Sequence, residues 1–222
     1  MVTVLGFDCA GRGCGAAVLS DGAVAAQRSE PMERGQAAAL LPLIAAVLAE
    51  AGRPASGLDL VAVTVGPGGF TGLRIGIAAA RGLALAAGIP AIGITSFAAQ
   101  AAAVPAVLRA ARSLAVALDS KRAEVFLQNF AADGEACGEA ALVTPETAAA
   151  RLPPGPLILA GDGAARLLPA LGPRACLAPE SEIPDPAAVA RLGLAAWRAG
   201  ERRPPRPLYL RAPDTSLPRT GR

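Results

Sequence analysis

The chain has 222 residues, 53% of them apolar, a formal net charge of +3 and no histidine. Such a length suits one large domain or two small ones and can bury a sizeable core. Without imidazole there is no Ser-His-Asp or Cys-His nucleophile system, no H-E-x-x-H zinc site and no side chain that ordinarily titrates near neutrality, which argues against hydrolase and protease chemistry. Residues 201–222 hold six Arg against Glu201 and Asp214, so the rest of the chain is near neutral and unlike a general nucleic-acid surface. Cys9, Cys14, Cys137 and Cys176 form no C-x-x-C pair and no zinc spacing, and read as reduced thiols in a cytoplasmic protein.

In chain order, residues 2–7 read as a strand ending at Asp8, and Gly11 to Gly15 as a turn. Strands over 16–19 and 23–27 are joined by the hairpin dipeptide Asp21-Gly22. Leu40, Leu41, Ile44, Val47 and Leu48 recur at helical spacing within 36–51, and Gly52 with Pro54 stops that helix. The β-branched run 61–65 predicts a strand buried on both faces, ended by Gly66-Pro67-Gly68-Gly69. A helix over 71–87 follows, with Thr71 as its cap and Leu73, Ile77, Ala80 and Ala84 along one face. Residues 89–94 form a fifth strand, and 96–103 a short helix capped by Thr95 or Ser96. The uncharged stretch 82–108 is long enough to span a membrane, but Pro90, Pro105, Gly88 and Gly93 break it.

The order βββαβαβα, antiparallel strands continued by parallel crossovers, describes the first lobe of an α/β actin-like (ASKHA, ribonuclease-H-like) two-lobed fold with mixed sheets. The second half begins the motif again and leaves it unfinished. It has strands over 113–118, 124–130 and 157–160, a Thr144-Pro145 helix start and an Asp185-capped helix ending at Gly200. The division expected is a lobe over 1–104, a degenerate lobe over 105–200 and an extended Pro/Arg-rich tail over 201–222. Within that tail, Pro207-Leu208-Tyr209-Leu210-Arg211 is apolar enough to dock, as a strap on its own domain or as a basic arm toward RNA phosphates.

A strand, a glycine turn and a helix N-terminus can take phosphate, or can be a tight turn whose small-residue helix packs closely on another element. The spacing is neither G-x-x-x-x-G-K-[ST] nor G-x-G-x-x-G. Gly72, Gly76, Ala79, Ala80 and Gly82 keep the helix shallow, so something should approach it closely. Asp8 either faces phosphate or metal, or caps its turn. Asp119 and Gly161-Asp162-Gly163 are either a second phosphate-facing set or ordinary strand ends and turns.

The run Gly66-Pro67-Gly68-Gly69-Phe70-Thr71-Gly72-Leu73-Arg74-Ile75-Gly76 is preceded by Leu41-Pro42-Leu43-Ile44 and followed by Gly88-Ile89-Pro90 and Ile94-Thr95-Ser96. It resembles the TsaB family, also called YeaZ. Asp119-Ser120-Lys121-Arg122-Ala123-Glu124-Val125-Phe126 and Pro207-Leu208-Tyr209-Leu210-Arg211 resemble that family's later segments.

The resemblance implies an actin-like subunit of the bacterial machinery that places threonylcarbamoyl on N6 of adenosine 37 in tRNAs reading codons that begin with A. The implied role is a non-catalytic scaffold and activator of the catalytic subunit TsaD. A TsaE-type ATPase joins through the complex, the chain self-associates when alone, tRNA is met indirectly or through the basic tail, and no membrane is involved. The implied partner surface is Gly68, Gly69, Phe70, Thr71, Leu73, Arg74, Gly76, Ile77, Ala80 and Arg81, with Leu40 and Ile44 of the first long helix. On that reading Gly76→Leu abolishes TsaD binding and leaves the fold intact.

TsaD-like chains carry a metal-binding His-x-x-x-His where Ser96 and Gln100 stand, so neither a metal site nor a catalytic residue is expected here. The competing reading is an actin-like ATPase or phosphotransferase, with Asp8 and Asp119 for Mg and Gly161, Asp162 and Gly163 for nucleotide. ATP or ADP with Mg, bound without turnover at a degenerate or interface site, is the intermediate case.

Overall fold

The apolar run 4–7 has no polar face and needs cover on both sides, and β1 (Thr3–Asp8), which contains it, is buried at every position, its polar ends Thr3 and Asp8 included. In the computed structural model, which describes residues 1–110, 112–179 and 182–211, β1 is the middle strand of a five-stranded sheet. β2 (Gly13–Ser20) and β3 (Ala23–Pro31) lie on one side, antiparallel. β4 (Leu60–Gly66) and β5 (Ala91–Thr95) lie parallel on the other, giving the order β3-β2-β1-β4-β5. The β2–β3 turn holds Asp21 at φ 50° and Gly22 at φ 88°, left-handed values that an Asp-Gly pair accepts at low cost.

α1 (Gln36–Glu50) and α2 (Phe70–Ala87) cover one face of this sheet. Leu5, Phe7, Val61 and Val63 point toward them and share a core with Leu40, Ile44, Val47 and Ala80. α2 begins one residue earlier than expected, with Gly69 as its N-cap and no capping side chain, so Thr71 lies in its first turn. It is long and apolar enough to cross a membrane by composition, but Leu73, Ile77, Ala80 and Ala84 are buried in the protein. α3 (Ser96–Ala103) is capped by Thr95, whose hydroxyl accepts from the Ala98 amide at 3.1 Å.

α4 (Ala106–Arg109) leads into a second sheet of β6 (Ser113–Asp119), β7 (Val125–Phe130), β8 (Ala136–Val143), β9 (Leu157–Ala160) and β10 (Ala175–Leu177). Its order, β10-β9-β6-β7-β8, repeats that of the first sheet strand for strand. The motif is therefore not left unfinished. Only its crossovers are reduced, to the four-residue helices α5 (Pro145–Ala148) and α6 (Leu168–Leu171) with short 3-10 turns, where α1 and α2 have 15 and 18 residues.

The last helix departs from the expected division at residue 200. α7 (Pro186–Arg198), capped by Asp185, returns to the open face of the first sheet and packs on β1 and β4. The approach is close enough that a Cβ on Gly6 would strike the Ala190 backbone, and one on Gly193 would overlap the Ala62 side chain. α3 joins the two sheets: Ala99 sits in the first-sheet core, while Phe97 and Ala101 pack with Leu114 and Val116 of β6. From Glu201 the chain runs extended along the first sheet, with Gly93 donating to the Arg203 carbonyl and Leu208 to the Val65 carbonyl, both at 2.7 Å. This is the strap reading of the tail over 201–211; residues 212–222, which complete the basic arm, lie outside the described residues.

Candidate functional site

The small-residue face of α2 is filled from within the chain. A Cβ on Gly72 would overlap the Cys9 carbonyl oxygen, and one on Gly68 would lie 2.6 Å from the Ala10 carbonyl oxygen. Gly69 donates to that same Ala10 oxygen at 2.8 Å. The element that approaches α2 closely is thus the turn after β1. Gly76 faces Val63 and Cys9, whose atoms would already touch an alanine Cβ at 3.5 and 3.6 Å. A leucine there collides with its own sheet, so Gly76→Leu attacks the fold and not a partner helix. Leu40, Ile44, Leu73, Ile77 and Ala80 are likewise buried in the core and present nothing to a partner.

What the two helices expose is a neighbouring strip. It includes Ala37, Ala38, Leu41, Pro42, Ala45 and Ala49 of α1, ending at Glu50, and Ala78, Gly82, Leu85 and Ala86 of α2. Leu41 is 56% exposed and Leu85 85%. Along the α2 side of the strip the exposed Arg74 and Arg81 are engaged by the strap. The Arg74 guanidinium lies 3.9 Å above the Phe70 ring, which stacks on Tyr209 at 4.6 Å, and Arg81 forks onto the Pro205 carbonyl at 3.1 and 2.6 Å. Sequence reasoning missed this Phe70–Tyr209–Arg74 stack, although Arg74 and Arg81, seven apart on one helix face, were the available signal. Gly68, Gly69 and Phe70 are half-buried, and Thr71 is exposed at the start of the helix.

Between the sheets lies a cavity of about 460 Å³, walled by the 9–12 turn, the 67–72 turn, α3 and the ends of β6 and β9. Asp119 and Asp162 line it together; Asp8 does not. The Asp8 carboxylate is fully buried, accepts from the Ala10 amide at 3.2 Å and the Gly11 amide at 3.4 Å, and takes the Thr64 hydroxyl in a short hydrogen bond. Burial pushes its pKa up to about 6 against the downward pull of those donors. It caps its turn.

Burial also raises Asp162, which accepts from the Asp119 amide at 2.8 Å. Burial pulls the Asp119 carboxyl upward too, but Lys121 and Arg166 outweigh it and hold the group below the usual carboxylate range. Gly161 and Gly163 press on the β6 backbone, and the Gly163 amide is spent on the Ala117 carbonyl at 3.0 Å. The residues proposed for Mg-nucleotide therefore do not fit that group. One carboxylate is sealed, a second is paired with cations, and a glycine amide that phosphate needs is taken. Among the described residues no group of three or more Cys, Asp or Glu side chains is placed to hold a metal. Ser96 Oγ and Gln100 Oε1, where metal ligation is the alternative, are buried on the cavity wall without a hydrogen-bond partner among the described residues.

Two sheets of one strand order, joined through α3 with a cleft between them, define an actin-like (ASKHA) α/β protein. The (R)-2-hydroxyglutaryl-CoA dehydratase component A of Acidaminococcus fermentans shares this fold, with a TM-score of 0.55 at 9% identity over 90% of this chain and all of that one. The family model for TsaD, tRNA N6-adenosine threonylcarbamoyltransferase, matches residues 30–172. YeaZ from Pseudomonas aeruginosa superposes with a TM-score of 0.82 at 29% identity, covering 95% of this chain and 100% of that structure. The tRNA threonylcarbamoyladenosine biosynthesis protein TsaB of Escherichia coli is 35% identical over 130 residues, 59% of this chain and 55% of that protein. An uncharacterised protein of Mycobacterium tuberculosis is 34% identical over 216 residues, 96% of this chain and 93% of its own length. The chain belongs to the TsaB/YeaZ family, although its matches to the E. coli and Haemophilus influenzae TsaB proteins span only about half of their length.

Proposed function

We propose that this chain is a non-catalytic subunit in the biosynthesis of threonylcarbamoyladenosine at tRNA position 37, and that it works by docking a TsaD-type catalytic subunit. The observation that carries this reading is the exposed strip of α1 and α2, where Leu41 and Leu85 stand in solvent among alanines, Pro42 and Gly82, flanked by Arg81. Small residues let a second pair of helices approach, and the two leucines are the apolar anchors of a contact that as a whole should bury more than about 1,000 Å². In the absence of TsaD the same strip pairs two copies of this chain.

The catalytic subunit and a TsaE-type ATPase supply the metal and nucleotide chemistry in the cytoplasm, and tRNA meets this chain through that assembly. Support comes from the α3 positions, where Ser96 and Gln100 offer a hydroxyl and an amide and no imidazole. The test is reconstitution of threonylcarbamoyl transfer with the organism's own TsaD and TsaE counterparts, with and without this chain, and light scattering on the same samples. Transfer that depends on this chain, with a complex in which it binds TsaD, supports the reading. Full transfer without it, or ATP turnover by this chain alone, overturns it.

A further inference from the structure

The register of β1 on β2 runs from Thr3 opposite Ser20 to Asp8 opposite Gly15. Continued by one pair, it sets Cys9 directly across from Cys14. Their sulfurs lie 2.7 Å apart, and the side chains are buried at 2% and 0% exposure. Directly opposed residues of antiparallel strands have Cα atoms about 4.5–5.5 Å apart, inside the range that a disulfide spans. No other thiol competes: Cys137 is exposed on β8, and Cys176 lies on β10, both in the second sheet.

We propose that Cys9 and Cys14 are a site of oxidative modification, closing to an intramolecular disulfide with a peroxide as the oxidant. One sulfur, as its thiolate, attacks a peroxide oxygen; the O–O bond breaks, leaving a sulfenic acid and one water. The second sulfur displaces the hydroxyl as another water and forms the S–S bond. Two thiols lose two electrons and two protons, and the peroxide is reduced to two waters. The hydrogen bond between the sulfurs, which either thiol can donate, holds the pair in contact before oxidation.

Cys9 lines the interlobe cavity, which brings a small oxidant to the turn. That turn is also the seat of α2, through the Cys9 carbonyl against Gly72 and the Ala10 carbonyl bonded to the Gly69 amide. The disulfide therefore clamps the support of the helix that carries the exposed strip.

The test treats the full, reduced protein with hydrogen peroxide overnight, alkylates the remaining thiols after denaturation and digests with trypsin. Trypsin cuts after Arg12, between the two cysteines, so the bond appears as peptide 1–12 linked to peptide 13–28. Cys9 and Cys14 should become unreactive together as this linked pair, whatever oxidation the exposed Cys137 also takes. A Cys137→Ser/Cys176→Ser variant should give the same linked pair. Four alkylatable thiols after treatment, or oxidation traced to Cys137 and Cys176 alone, overturns the proposal.

Discussion

Replacing Gly72 and Gly82 by alanine, one at a time, separates what the two sides of α2 do. Helix propensity favours both changes by about 1 kcal/mol. At Gly82 nothing lies within 4 Å of the added methyl, so Gly82→Ala should stabilise by about 0.5–1 kcal/mol. At Gly72 the same methyl overlaps the Cys9 carbonyl oxygen, with the carbonyl carbon only 3.0 Å away. That oxygen belongs to a buried backbone and cannot swing aside as a side chain would. Overpacking costs about 1–3 kcal/mol, and an overlap with fixed backbone as deep as this one belongs at the upper end, so against the helical gain of about 1 kcal/mol Gly72→Ala should lose up to about 2 kcal/mol net. For a chain of this size that corresponds to roughly 2–4 °C in Tm per kcal/mol. Trp197 is the sole tryptophan and packs against the first-sheet core, so its fluorescence during urea unfolding reads the affected lobe. A Gly72→Ala midpoint at or above that of the parent would refute the argument that the shallow face serves the chain's own turn.

Leu85→Glu should leave Tm near that of the parent, because the side chain is already in solvent, and should weaken TsaD binding by at least tenfold in a pull-down titration, since burying a leucine is worth about 1.5–3 kcal/mol. Unchanged binding would move the docking surface elsewhere. The folded pKa of Asp8, about 6, lies above its ordinary 3.8, so its contribution to stability is complete below pH ~4 and is lost as pH rises through 6, by up to about 3 kcal/mol. Asp8→Asn should flatten that part of the stability profile in urea titrations between pH 4 and 7, and a variant with an unchanged slope would contradict the assignment. Tyr209→Ala removes a ring stack worth about 0.5–1.5 kcal/mol and should speed hydrogen exchange at the Leu208 amide, which bonds the Val65 carbonyl; undiminished protection there would show the strap held by other contacts.

The elements that the sequence made legible are those whose signal is local. The Asp21-Gly22 hairpin, the Thr95 and Asp185 caps and the apolar run of β4 all stand where residue chemistry puts them. Asp8 at the end of a strand was equally visible, but only the Thr64 hydroxyl and two amides around its oxygens decided between phosphate ligand and turn cap. The short second-sheet strand β10, three residues long, carried too little pattern to be read.

Periodicity determined which residues of α1 and α2 share a face, and composition excluded histidine chemistry outright. Neither could say what covers each face. Leu73 and Leu85 are chemically alike, and a repeat of 3.6 residues assigns them to sides without telling which side meets the sheet. The tertiary structure decided that, because burial is fixed by the elements that arrive from far along the chain: the turn after β1 on Gly72, α7 on Gly6, and the strap on Phe70 and Arg74.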